Sequence, residues 1–211
     1  MPLSELHRIL ERAEPGARKA HKRHVMACAL ACFEAGGLDA TTIEEIRASA
    51  DSSIGSIYHH FGNKDGLVAA LFFAGLDDQA ARAEPALTAA ADTRGVVQAC
   101  VREYLHWVSE HPQFARFLYM ARATVARGPA ADDLARRNRA RLGSLQERLA
   151  RGVEAGEVLE LPRETYLPLL IGPSEIYCRA WLSERVKMPP VQHMDVFARA
   201  AWRAIAAREG D

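Results

Sequence analysis

Several features are missing from this sequence, and each absence removes a class of protein. No apolar run is long enough to cross a bilayer, and Glu5, His7, Arg8 and Glu11 stand where a secretion signal needs an apolar core. The expectation is therefore a cytoplasmic protein with no membrane partner. Alternation of β-branched with polar residues, the mark of a half-buried strand, is lacking. Cysteine is sparse: Cys28, Cys32, Cys100 and Cys178 have no paired short spacings and lie in apolar helical stretches, so reduced thiols are expected rather than a disulfide framework. No Ser-His-Asp or Cys-His set can be placed, and there is no glycine-rich phosphate loop, His-Glu-x-x-His pair or double Cys-x-x-Cys. The reading is a non-enzyme with no catalytic residues, no cofactor and no metal.

Net charge is also missing. The 27 basic and 27 acidic side chains cancel, so the whole molecule exerts no general attraction on nucleic acid. A local exception is the cationic run Arg18, Lys19, Lys22 and Arg23, with His21 and His24 among them, which can be a solvated helix face or a set of phosphate contacts. His24, Cys28 and Cys32 follow at helical i, i+4 spacing and could line one face as soft ligands. Val25, Cys28, Ala29, Cys32 and Phe33 also trace an ordinary apolar stripe, and that reading is preferred.

What is present is helical periodicity almost throughout, in a chain of 211 residues that is 49% hydrophobic and so can build a sizeable core. The fold expected is all-α. Residues 1–16, ending at Pro15-Gly16, read as a flexible arm. A helix from about Ala17 to Ala35 closes at Gly36-Gly37, and a short one starts at Ile43, where Thr42 and Glu45 form a capping box. Asp51, Ser52 and Ser53 favour a turn, and Ser53 caps a second short helix from Ile54 to Phe61. After Gly62-Asn63 a longer helix runs from Lys64 to a stop near Pro85. Further helices end at His111 and cover about 113–126, 130–155, 163–186 and 191–207, each junction punctuated by glycine or proline.

Two short helices joined by a tight polar turn make a helix-turn-helix, whose second helix enters the major groove. That helix wants small residues near its start, and Ile54, Gly55 and Ser56 follow the Ser53 cap. Ile57 and Phe61, four apart, can anchor it, leaving Tyr58 and His59 to project outward. The division expected is an arm at 1–16, a helix-turn-helix DNA-binding domain at 17–66, and a helical domain at 67–211, to which the resemblance described next assigns ligand binding and dimerisation.

Lys22, Val25-Met26, Cys28-Ala29, Phe33, Gly37, Thr41-Thr42-Ile43, Ile46, Gly55, Ile57-Tyr58, His60-Phe61, Lys64-Asp65 and Leu67 stand at fixed offsets that resemble the N-terminal signature of TetR family regulators. The resemblance covers about the first seventy residues. It implies that Thr42, Ser53, Tyr58 and Lys64 contact the phosphate backbone and that Gly55, Ser56 and His59 lie near base edges, with Ile54 able to touch a thymine methyl. Two departures stand out: Arg47 replaces a small alanine, and Asp51-Ser52 replaces a glycine and a hydrophobic residue. Arg47 can reach a phosphate or pair with Glu44.

The resemblance further implies a sequence-specific regulator, a repressor released from a palindromic double-stranded DNA operator by a small-molecule effector. The rival reading is a helical ligand-binding or interaction module without DNA readout. For the effector pocket, Trp107, Phe114, Phe117 and Met120 are candidates from the middle of the chain. Tyr166, Glu175, Cys178 and Trp181 are candidates from the penultimate helix, with core packing the competing reading for each. The arginine run at 136–141 reads as a charged outer face. The resemblance also implies a homodimer through the last two helices, and two apolar stripes agree with it in outline: Leu167, Leu170, Ile171, Ser174, Cys178, Trp181 and Leu182, then Met194, Phe197, Ala198, Ala201 and Ile205.

Overall fold

The computed structural model describes residues 3–207. They form ten α-helices: α1 (Leu3–Ala13), α2 (Ala20–Gly36), α3 (Ile43–Ser49), α4 (Ile54–Phe61), α5 (Lys64–Ala89), α6 (Thr93–Glu110), α7 (Pro112–Arg127), α8 (Ala131–Glu154), α9 (Arg163–Leu182) and α10 (Met194–Ile205). Short 3-10 turns precede α2 and α10. Among the described residues there is no strand, only a lone antiparallel bridge between Val158 and Ala206. The chain divides into two compact units, one of residues 3–78 and 111–138, the other of 79–110 and 139–207. This differs from a break after residue 66. The reason lies in α7, which packs on α2, with the Phe117 ring stacked 5.8 Å from Phe33.

In the first unit α1 is a helix where a loose arm was expected. Leu6, Ile9 and Leu10 share one face at i, i+3 and i+4, and all three are buried. Polar ties fix its end. Arg12 pairs with the buried carboxylate of Asp78, and Arg23 donates to the carbonyls of Glu14 and Gly16 at 2.8 Å each and pairs with Glu11 at 2.8 Å. Pro15-Gly16 therefore ends a docked helix instead of freeing an arm. Residues 1 and 2 of the expected arm lie outside the described residues. Gly75 of α5 meets the Phe114 ring, where an added Cβ would sit only 2.1 Å from the ring. The helix-turn-helix follows the sequence closely: Ile46, Ile57 and Phe61 are buried, and the turn residue Asp51 takes a left-handed φ of 45°.

The second unit is built on α6, with α10 packed along it and α9 against both. Val97, Val101, Leu105 and Trp107 of α6 are fully buried. Part of each stripe expected to meet a partner faces this interior: Leu170, Ser174, Cys178 and Leu182 of α9 are buried, as are Ala198, Ala201 and Ile205 of α10, while Leu167 is exposed. An apolar stripe satisfies a neighbour in its own chain as readily as one in another, and here α6 takes it. Helix α5 also runs past its expected stop, with Pro85 inside it. Its final turns are held by Arg82, which pairs with Glu103 and Glu110 and donates to His106.

Two substitutions check these features. Ile9→Ala is expected to lower the stability of the first unit by about 2–4 kcal/mol, read as a shifted denaturant midpoint; an undocked arm would leave the midpoint unmoved. Asp51→Gly removes the left-handed strain and is expected to raise stability by about 1 kcal/mol in the same assay.

Candidate nucleic-acid interface

The second helix of the motif presents the face that its sequence promises. Ile57 and Phe61 point inward, while Ile54 and Tyr58 are 40% and 49% exposed, large apolar surfaces that folding alone would hide. Gly55 and His59 are exposed beside them and Ser56 is half-buried. Nothing lies within 4 Å of where a Gly55 Cβ would sit, so this position is open to an approaching surface. At eight residues α4 is about 12 Å long, comparable to the width of the major groove.

Caps set where each short helix begins. The Thr42 hydroxyl accepts from the Glu45 amide at 3.2 Å, and the Glu45 carboxylate accepts from the Thr42 amide at 2.7 Å. Those hydrogen bonds, the backbone one foremost, hold the Glu45 carboxyl below the usual carboxylate range. The Ser53 hydroxyl accepts from the Ser56 amide at 3.1 Å, so Thr42 and Ser53 serve as caps while remaining exposed. Lys64, at the start of α5, donates to the Asp39 carbonyl at 3.1 Å and acts at longer range on the Glu45 carboxylate. Arg47 pairs with Glu44 at 2.9 Å, the second of its two expected alternatives.

The cationic run is largely neutralised by acids that precede it in the chain. Lys19 and Lys22 pair with Glu14, and Arg23 with Glu11. Burial alone would raise the Glu14 carboxyl, but the hydrogen bonds and charges of Lys19 and Lys22 outweigh it and the net shift is downward. Of the six Lys and Arg between residues 17 and 64, four form direct ion pairs among the described residues: Lys19, Lys22, Arg23 and Arg47.

A cluster that sequence reading did not assemble lies beside α4. The His21 and His60 rings are 6.3 Å apart and those of His59 and His60 5.2 Å, with His21 Nε2 3.0 Å from the Ser52 hydroxyl. Lys22 sits over the Phe61 ring at 5.5 Å. Burial lowers the His60 pKa, helped by the charges of His59, Lys22 and His21 and opposed by Glu14. The signal was present in His21 of the basic run and in the His59-His60 pair, but only folding brings α2 and α4 together.

The residues expected to line an effector pocket fall into both units. Phe114 and Phe117 are core residues of the first, and Met120 is exposed there. In the second, Trp107 and Cys178 are buried, Trp181 is half-buried, and Glu175 pairs with Arg179 at 2.7 Å. Tyr166 lines a groove of about 620 Å³ between α8 and α9, its hydroxyl donating to the Leu159 carbonyl at 2.7 Å. The groove is walled by Leu142, Leu145, Leu149, Val153, Leu167 and Leu170, with Arg139, Glu147, Glu154 and Arg163 supplying charge. Sequence reading sought aromatic walls and passed over the aliphatic spacing of α8.

Residues 25–71 match the family model described as bacterial regulatory proteins, tetR family. No curated protein matches the chain. Among solved structures, a TetR family transcription regulator from Marinobacter aquaeolei VT8 is similar at a TM-score of 0.77 and 18% identity, covering 90% of this chain and 98% of that one. The ketosteroid transcriptional regulator KstR2 of Mycobacterium tuberculosis is similar at 0.68 and 21%, covering 92% and 97%. The transcriptional regulator FadR from Bacillus subtilis, in complex with stearoyl-CoA, is similar at 0.70 and 15%, covering 87% and 99%. The family match therefore lies on the helix-turn-helix segment, and the fold that the chain shares with these regulators runs through nine-tenths of its length.

Proposed function

We propose that the protein is a homodimeric repressor that places α4 of each subunit in the major groove of a palindromic operator and is released by a small apolar effector. The observation that carries the DNA reading is the exposed face of α4, where Ile54, Gly55, Tyr58 and His59 stand outward from the Ile57 and Phe61 anchor. In this reading Thr42, Ser53, Tyr58 and Lys64 contact phosphates, Gly55, Ser56 and His59 lie against base edges, and Ile54 meets a thymine methyl. Arg47 adds a contact only by leaving Glu44.

The dimer reading is supported by the outer faces of the last two helices. Leu169 and Ile176 lie two turns apart on α9 and are exposed, Ile176 to 70%, and Val196 of α10 is 56% exposed. A second copy of the chain related by a two-fold axis would cover them and set the recognition helices about 34 Å apart, one turn of duplex. The effector reading rests on the α8–α9 groove and its aliphatic walls. The fold is shared with a ketosteroid transcriptional regulator and with a regulator solved in complex with stearoyl-CoA, whose acyl chain is apolar.

Selection of bound duplexes from random DNA is expected to recover a palindrome. On that duplex Lys64→Ala is expected to weaken binding and to reduce the slope of log affinity against log salt by about one; an unchanged slope removes Lys64 from the interface. Recovery of no preferred sequence would favour an interaction module without DNA readout. Ile176→Glu is expected to shift the protein from dimer to monomer in sedimentation, and a strictly monomeric parent protein contradicts the dimer.

A further inference from the structure

We propose that His21, His59 and His60 act together as a proton-linked anion site, gaining positive charge as a phosphodiester backbone docks on α4, so that DNA affinity rises as pH falls through the imidazole range. The inference rests on the DNA-binding reading above and concerns the regulation of that same face. Its basis is geometric: three imidazoles from two helices lie with neighbouring centroids 5.2 and 6.3 Å apart, His21 and His59 are exposed, and α4 carries the face offered to DNA.

Charge accounting gives the cluster its importance. Lys19, Lys22, Arg23 and Arg47 are engaged by carboxylates, so the side chains available to answer phosphate charge near α4 are few. The groups acting on His60 are His59 on its own helix, Lys22 and His21 from α2, and Glu14 from the segment after α1. The turn contributes the neutral Ser52 hydroxyl, which His21 reaches through Nε2. In the free protein partial burial, and after it the positive neighbours, disfavour a charged His60. A polyanion reverses that balance, and the complex then holds more protons than its free components.

The sign follows from linkage. A bound state that carries more protons is favoured as pH falls, and a rise of one unit in the pKa of a single imidazole on binding is worth up to about tenfold in affinity as pH falls through the imidazole range. Glu14 is held below the usual carboxylate range and stays ionised throughout that interval, so it does not supply the response.

The experiment measures binding of the full-length protein to a fluorescein-labelled mixed-sequence duplex across that pH interval at constant ionic strength. The parent protein is expected to bind about tenfold tighter at the acid end. His21→Gln combined with His59→Gln, both at exposed positions, is expected to lose most of that pH dependence, and His60→Gln part of it. Histidine ring-proton titrations of the unaltered protein supply a second readout that needs no variant: the three apparent pKa values are expected to rise when duplex is added. A parent protein that binds with a flat pH profile, variants that keep the full slope, or ring titrations that do not move with duplex overturn the proton-linked site alone. Absence of binding at every pH overturns the DNA-binding reading and this inference with it.

Discussion

Burial of Ile57 and Phe61 sets the orientation of α4, and the remaining side chains of that helix follow from it. Residues four apart on a helix share a face, so once this pair is held in the core of the first unit His59, on the other side of the helix, has to turn outward, while Ile54 and Tyr58 stay exposed along the edge of the anchored face. The Thr42 box and the Ser53 cap fix where the two short helices start, and the left-handed Asp51 fixes the turn between them. A helix too short to be stable by propensity alone thereby becomes a rigid projection.

Electrostatics around that projection is set by pairing more than by composition. The acids of α1 and its trailing segment neutralise most of the cations that open α2, and Glu44 takes Arg47. The same contacts dock α1, since Arg23 binds both Glu11 and the carbonyls that close the connection. Docking of α1 and the small number of uncompensated cations are thus consequences of one set of bonds. Histidines acquire weight on such a surface because their charge is conditional where that of lysine and arginine is already committed.

In the second unit each of the last two helices has two apolar faces, and the interior claims one of them. Helix α6 offers a continuous wall of Val97, Val101 and Leu105, and the stripes of α9 and α10 close on it. Leu169, Ile176 and Val196 remain outside, fewer in number but more exposed. The groove between α8 and α9 is aliphatic, and its one aromatic wall, Tyr166, has its hydroxyl tied to backbone.

Local chemistry was legible in the sequence. Capping box, turn, glycine stops, the all-helical class and the inward and outward faces of α4 all depend on residues within one or two turns of each other, and short-range spacing carries that information. Long-range choices were not legible. That Leu6, Ile9 and Leu10 dock, that His21 lies beside His60, and that α6 rather than a partner covers Cys178 and Ala198 each require separate helices to meet. An apolar stripe states only that something must cover it, and a charge only that a counter-charge would be welcome. Which neighbour answers is decided by packing the whole chain at once, because burial and ion pairing depend on distance in space and not along the chain.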